Sequence, residues 1–136
     1  MKTDLIEIKE YKEEGYKPVI DYGDWRVAVL NYCAELLPEN IKKMQRHNQT
    51  DEVFVLLSGN CQLFLAEGDK KIENIYVQKM EPFKMYNVKR SVWHSHTLSE
   101  DAMVLIIENK DTSLENSPEK ELTEKQQQKI VELSKN

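Results

Sequence analysis

RHNQTDEVFVLLSG, Arg46 to Gly59, holds one of the three histidines of the chain, and the other two stand a residue apart in VWHSHT, Val92 to Thr97. The first stretch closes on an apolar run stopped by Ser58-Gly59, and both stretches read as β-strand or its immediate flank. Along a strand, side chains two apart share a face. Gln45 and His47 therefore point the same way, as do His94 and His96, and each pair can look into one cavity. Glu52 follows His47 by an odd step, which a straight strand would send to the opposite face. The turn formers Asn48, Gln49, Thr50 and Asp51 predict a bend that resets the phase and lines Glu52, Phe54 and Leu56 up with His47. Two imidazoles and a carboxylate suit a first-row divalent metal with open coordination positions, and Gln45 could add a carbonyl oxygen. A lone histidine is more often solvated or simply hydrogen-bonded. Three of them with a glutamate at these parities shift the balance toward a metal.

Strand patterning continues on both sides. PVIDYGDWRVAVLNYC, Pro18 to Cys33, reads as two strands around Gly23-Asp24, a pair suited to a type II′ hairpin turn, with the second arm over Trp25 to Tyr32. Pro38 and Asn40 mark a loop or bend in AELLPEN, and a further strand is expected from Lys42 to His47. Glu52 to Met80 offers three strands with breaks at Ser58-Gly59-Asn60 and Glu67-Gly68-Asp69, expected to be antiparallel neighbours joined by tight turns. Strand signals return over Lys84 to Val88, Val92 to Thr97 and Ala102 to Glu108. About eight or nine short strands so spaced predict an all-β sandwich, jelly roll or barrel. The tail differs. Asn109 to Glu121 is polar, broken by Pro118, and reads as a connector. Thr123 and Gln126 then fit a capping box, and Ile130, Val131 and Leu133 supply a narrow apolar stripe for a helix that must dock to be stable. A frayed tail is the alternative.

A chain of 136 residues suits one domain around a single core. With a net charge of -5 and interspersed signs, it lacks the basic stripe that nucleic acid requires. No apolar run reaches the roughly 20 residues that span a bilayer, and the start MKTDLIEIKEYKEE is too charged for a signal peptide, so a soluble cytoplasmic protein is expected. Cys33 and Cys61 lie far apart without metal-motif spacing and are expected to be buried thiols rather than a disulfide. The glycosylation triplet Asn48-Gln49-Thr50 carries no weight without a secretory signal.

The residues around the histidines resemble the cupin superfamily, whose first motif runs H-x-H, three or four residues, E, six residues, G. Gln45-x-His47, four residues, Glu52, six residues, Gly59 fits that spacing, with Gln45 in place of the first histidine. The second motif, P-x-G-x-x-H, is matched in spacing by Lys89, Ser91 and His94, of which the histidine alone keeps its identity. The resemblance spans Trp25 to Asn109 and implies a small single-domain, RmlC-like cupin: an all-β double-stranded β-helix or jelly-roll barrel over residues 1–109 with its core at 25–109. A polar connector over 110–121 and a C-terminal α-helix over 122–136, packed on the barrel or a partner subunit, complete the expected organisation. The resemblance also implies that His47, Glu52 and His94 ligate a divalent transition metal such as iron, manganese, nickel, cobalt or zinc, that Gln45 is a weak fourth donor, and that the protein is a homodimer. His96 would be a further ligand, a general base in the pocket, or a rim residue without a role.

Other side chains have a functional and a plainer reading. Trp93 should face away from His94 and serve packing. Phe54, Leu56, Phe64 and Met103 are candidates for the cavity wall or for ordinary core. Tyr32 and Tyr86 could offer hydroxyls, and Lys89 and Arg90 could gather an anion, although a solvated turn is favoured for the last two. The leading expectation is a metal-binding cupin acting on a small, partly apolar organic molecule, by dioxygenase, isomerase, decarboxylase or lyase chemistry that the fold leaves open. Against it stand a metal-free module that binds a sugar or metabolite, and a metal-independent acid/base enzyme of the sugar-epimerase kind.

Overall fold

The computed structural model describes residues 4–135; residues 1–3 and 136 of the expected barrel and helix ranges lie outside these. In chain order the elements are β1 Gly15–Tyr22, β2 Trp25–Asn31, 3-10 turns at Ala34–Leu36 and Pro38–Asn40, β3 Lys43–Gln45, β4 Glu52–Ser58, β5 Cys61–Ala66, β6 Ile75–Lys79, β7 Met85–Val88, β8 Trp93–Leu98, β9 Met103–Asn109, β10 Glu119–Glu121 and the helix α1 Glu124–Ser134. Two five-stranded antiparallel sheets pack face to face, ordered β1-β2-β9-β4-β7 and β10-β3-β8-β5-β6. Their inner faces close on Leu30, Phe54, Leu56, Leu63, Leu98, Val104 and Ile106. This is the all-β jelly-roll barrel with a C-terminal helix that the strand pattern and the resemblance predict.

The β1–β2 hairpin turns at Gly23-Asp24 as expected, with φ of +59° at Gly23. The expectation of consecutive pairing fails further on. β4 and β5 lie in different sheets, and the chain crosses between them at Gly59, whose φ is +71°. A Cβ there would meet the Ala102 backbone at 2.6 Å, so the last residue of the first motif is the corner of the barrel. β5 and β6 do pair, but through residues 67–74 rather than a tight turn. Alternation in sequence reports which face a side chain takes, and it does not report which strand lies alongside.

The second sheet carries a further core on its outer face. Phe64, Ala66 and Trp93 point outward there and meet Ile41, Met44, Leu122 and the fully buried Ile130 of α1. The helix starts with the expected capping box, Thr123 Oγ1 accepting from the Gln126 amide and Gln126 Oε1 from the Thr123 amide. Leu133 joins Ile130 on this core, whereas Val131 stays half-buried outside it. The reading of 110–121 as a mere connector needs correction. Glu119–Glu121 extends the second sheet by pairing with β3, the Arg46 amide donates to the Pro118 carbonyl, and Asn116 and Ser117 are buried. Three alternating charges have no apolar period, so an edge strand held by backbone bonds alone leaves no mark in the pattern.

Among the described residues the outer face of the first sheet is largely uncovered, the N-terminal segment meeting it at Asn31, yet that face is apolar. Cross-strand register places Val27, Ile107 and Val53 in one row and Val29, Leu105, Val55 and Met85 in the next. An antiparallel sheet facing water usually turns polar residues outward. Among the described residues no helix is long and apolar enough to cross a membrane.

Candidate metal centre

Three elements bring the site together. Gln45 ends β3 directly opposite His94 on β8, and both face the barrel interior. His47 follows two residues on, just past the strand, with its carbonyl accepting from the Ser91 amide. The chain bends at Asn48 and Gln49 and re-enters as β4, whose first residue, Glu52, is inward. The bend does what the odd spacing required. Asp51 stabilises it from outside, accepting from the Arg90 amide and the Asn87 side chain.

The ligand atoms of His47, Glu52 and His94 all lie within 4.8 Å of one another, and all three residues are buried. His47 Nε2 is 3.2 Å and His94 Nε2 3.0 Å from the same oxygen, Glu52 Oε1. The opposite ring nitrogens are engaged. His94 Nδ1 lies 3.0 Å from the Val92 carbonyl, which can only accept, so Nδ1 carries a proton. His47 Nδ1 lies 2.7 Å from Ser117 Oγ, and that hydroxyl spends its own proton on Asn116 Oδ1 at 2.8 Å. Ser117 must therefore accept from His47. Each ring thus has its proton fixed on Nδ1 and turns Nε2 to the same carboxylate oxygen.

Three acceptors turned on one point need a cation or protons between them. Burial opposes charge on Glu52, yet hydrogen bonds and charge from His47 and His94 hold its carboxyl well below the usual range. Burial also opposes charge on His94, but the Glu52 carboxylate outweighs it and raises the imidazole. Protons thus occupy the cluster when no metal does, and a divalent ion would displace them. The donor set of two imidazole nitrogens and one carboxylate fits iron, manganese or another first-row divalent ion, and the Nδ1 partners are the orienting groups that such ligands use.

A cavity of about 310 Å³ adjoins the cluster and is lined by His47, Glu52, His94, His96 and Gln45 on one side and by Tyr16, Arg26, Glu108 and Thr112 on the other. A second, of about 440 Å³, opens between β3, β8 and the first 3-10 turn and also reaches Gln45, His94 and His96. No protein-family model matches the chain, and no curated protein is detectably similar to it in sequence. Solved structures are similar in fold. A cupin-2 domain containing protein from Shewanella frigidimarina aligns with a TM-score of 0.54 at 16% identity over 74% of this chain and 85% of its own. The fold is that of a cupin. Streptomyces PAC13, solved as a tyrosine variant with uridine, aligns with a TM-score of 0.52 at 10% identity over 84% of this chain and 83% of its own. CapF, solved with the inhibitor 3-isopropenyl-tropolone, gives 0.54 at 16% over 79% of this chain, which spans 32% of CapF.

Within this cupin barrel the residues singled out from the sequence separate into groups. His47, Glu52 and His94 converge. Gln45 and His96 line the same cavity without joining the tight cluster, and the Gln45 amide donates to the Ser117 carbonyl at 3.3 Å. His96 is buried with Nδ1 unpartnered, and burial, then the neighbouring His94, push it down to about 4, so it is neutral at neutral pH. Phe54 packs its ring edge on His94 at 6.1 Å and lies 5.8 Å from His96. Leu56 is core. Phe64 and Met103 do not wall the cavity: Phe64 points outward under α1, and Met103 takes the outer face of β9. Trp93 faces away from the site as expected, stacked under Arg46 at 4.5 Å. The Tyr86 hydroxyl accepts from the Glu81 amide. Lys89 and Arg90 are exposed.

Sequence reasoning missed Ser117, Asn116, Tyr16, Arg26 and Glu108. One signal was available. Val104, Ile106 and Glu108 share a parity on β9, as do Arg26, Ala28 and Leu30 on β2, so each run carries a charge at an inward position. Nothing comparable marks Ser117, which belongs to the polar tail.

Proposed function

We propose that this cupin binds a divalent transition metal through His47, Glu52 and His94 and acts on a small organic molecule held in the adjoining cavity. The observation that carries the reading is the direction of both rings: Ser117 with Asn116, and the Val92 carbonyl, hold the Nδ1 protons, so that both Nε2 atoms meet at Glu52 Oε1. The ion would act as a Lewis acid or bind dioxygen, with the open coordination positions on the cavity side. The cavity volume lies within the range usual for small ligands. Gln45 faces the same space as a neutral donor, and His96, unprotonated at neutral pH, is the candidate base. The two free thiols, Cys33 and the buried Cys61, suit a cytoplasmic protein.

Elemental analysis by mass spectrometry of protein purified without chelators tests the reading. Near-stoichiometric manganese, iron, cobalt, nickel or zinc is expected in the wild type, with loss of the ion in His94→Ala. An empty wild-type site that also refuses added metal would favour the metal-free binding module, and an unchanged metal content in His94→Ala would remove the ligand assignment.

We also infer that a second copy of the chain covers the apolar outer face of the first sheet. Lys17 on the edge strand is the one charged residue that the register turns outward on this face among the described residues. Such a face is self-complementary, as a two-fold interface requires. Five strands about 4.8 Å apart, each about six residues long at about 3.4 Å per residue, present roughly 500 Å² in projection. A stable interface takes about 800 Å² per partner, and exposed Leu5, Ile6 and Ile8 of the N-terminal segment add to the face. That segment is tied beside it where Asn31 donates to the carbonyls of Tyr11 and Glu13.

A further inference from the structure

We propose that Glu108 is a second carboxylate of the metal centre, standing on the cavity side of the His47–Glu52–His94 cluster and adding its negative charge to the field that holds the ion. The inference rests on the metal-binding reading above and concerns a residue that neither sequence motif contains.

Glu108 is 6% exposed and projects inward from β9 into the cavity that the three ligands line. One of its oxygens is fully used: Oε1 accepts from the Tyr16 hydroxyl at 2.8 Å and from Arg26 Nη2 at 3.2 Å. The other, Oε2, is buried and has no hydrogen-bond donor among the described residues. A purely structural ion pair would close this gap, because guanidinium and carboxylate can meet through two parallel hydrogen bonds. Arg26 instead spreads its remaining donors over the Lys110 carbonyl and Thr112 Oγ1 and leaves its own Nε unpartnered. It holds Glu108 by one oxygen and leaves the other without a donor.

Glu108 and Glu52, itself an acceptor when ionised, face the same cavity. Burial first, and then the Glu52 charge, raise the Glu108 carboxyl. Arg26 offsets one of the two carboxylates, and the other is balanced only by protons on the imidazoles or by a cation. A divalent ion bound at Glu52 relieves that repulsion. Glu108 lies outside the tight cluster of ligand atoms. It therefore acts on the ion through Glu52 and through whatever occupies the open positions, as a positioning residue and a source of charge. Outer carboxylates of this kind typically change metal affinity by about 10- to 100-fold.

The test is Mn²⁺ binding to metal-stripped protein at neutral pH, followed by electron paramagnetic resonance and calorimetry, with melting temperatures taken with and without Mn²⁺. Glu108→Gln keeps the length and the acceptor toward Tyr16 and Arg26 and removes the charge. It should bind Mn²⁺ at least about 10-fold more weakly, with a metal-free melting transition that shows it is folded. Glu108→Asp, which restores the charge, should recover most of the affinity. Should Glu108→Gln fail to fold, Glu108→Met supplies the uncharged side chain for the same comparison. Wild-type affinity in a folded uncharged variant overturns the role of Glu108 and leaves the metal site standing. A wild type that binds neither Mn²⁺ nor any other first-row ion overturns the metal reading, and this inference with it.

Discussion

Ser117 shows how much of the candidate centre depends on one hydroxyl. It is fully buried, accepts from His47 Nδ1 and donates to Asn116, and so decides which nitrogen of His47 is bare. Ser117→Ala would leave Nδ1–H without its acceptor and free the ring to rotate or change tautomer. Metal affinity is expected to fall by about 10- to 100-fold, with a smaller effect on the melting temperature of the metal-free protein, measurable by competition with a coloured chelator. Affinity equal to that of the wild type would mean that the ring is held by packing alone. The sign of the pH dependence follows from His94, where burial works against the charged ring but Glu52 prevails and raises it. Protons compete for Nε2, so the same titration should show weaker metal binding as the pH is lowered.

The elements contribute in unequal ways. β4 and β8 carry the candidate ligands Glu52 and His94, whereas His47 stands just beyond β3 and is held by the chain on both sides of it. That short β3 is itself clamped between β8 and β10, and β10 leads directly into α1, whose Ile130 is the helix's buried anchor on the second core. Ile130→Ala should destabilise the protein by about 2–5 kcal/mol, the range for removing a buried aliphatic side chain. Val131→Ala, outside that core, should cost clearly less. Chemical denaturation of the two variants measures the difference, and equal losses would deny the helix its anchoring role. Because residues 116–118 lie between the helix and the site, Ile130→Ala should also loosen Ser117 and lower metal uptake before the barrel as a whole melts.

At the scale of the whole molecule the two sheets solve the same problem differently. The outer face of the second is covered by α1, and that of the first presents Val27, Val53, Val55, Leu105 and Ile107 with no element of the chain packed over them among the described residues. Light scattering coupled to size exclusion should give the mass of a dimer, and Ile107→Lys should give a monomer. Ile107 is 41% exposed in the isolated chain, so the substitution is compatible with the fold and acts on association. A monomeric wild type at micromolar concentration would leave the face without its proposed partner. The resemblance implies a homodimer, and the register directs attention to this sheet face as its interface.

The amino-acid sequence by itself determined the strand class, the face of nearly every strand residue, the bend between His47 and Glu52, and the helix with its cap. All of these are local, resting on period-two alternation and on turn and cap chemistry over a few residues. The convergence of His47, Glu52 and His94 was legible through the cupin resemblance, since parity sets the face of each side chain and not which strands meet. Only the tertiary structure decided that β4 and β5 belong to opposite sheets, that Phe64 turns away from the cavity, and that Glu108 and Ser117 border the centre. Those facts depend on which distant strands lie side by side. A polar tail paired through its backbone, or a carboxylate set beside the centre by a distant tyrosine, is selected by contacts between residues 70 or more positions apart, and no periodicity along the chain encodes such a contact.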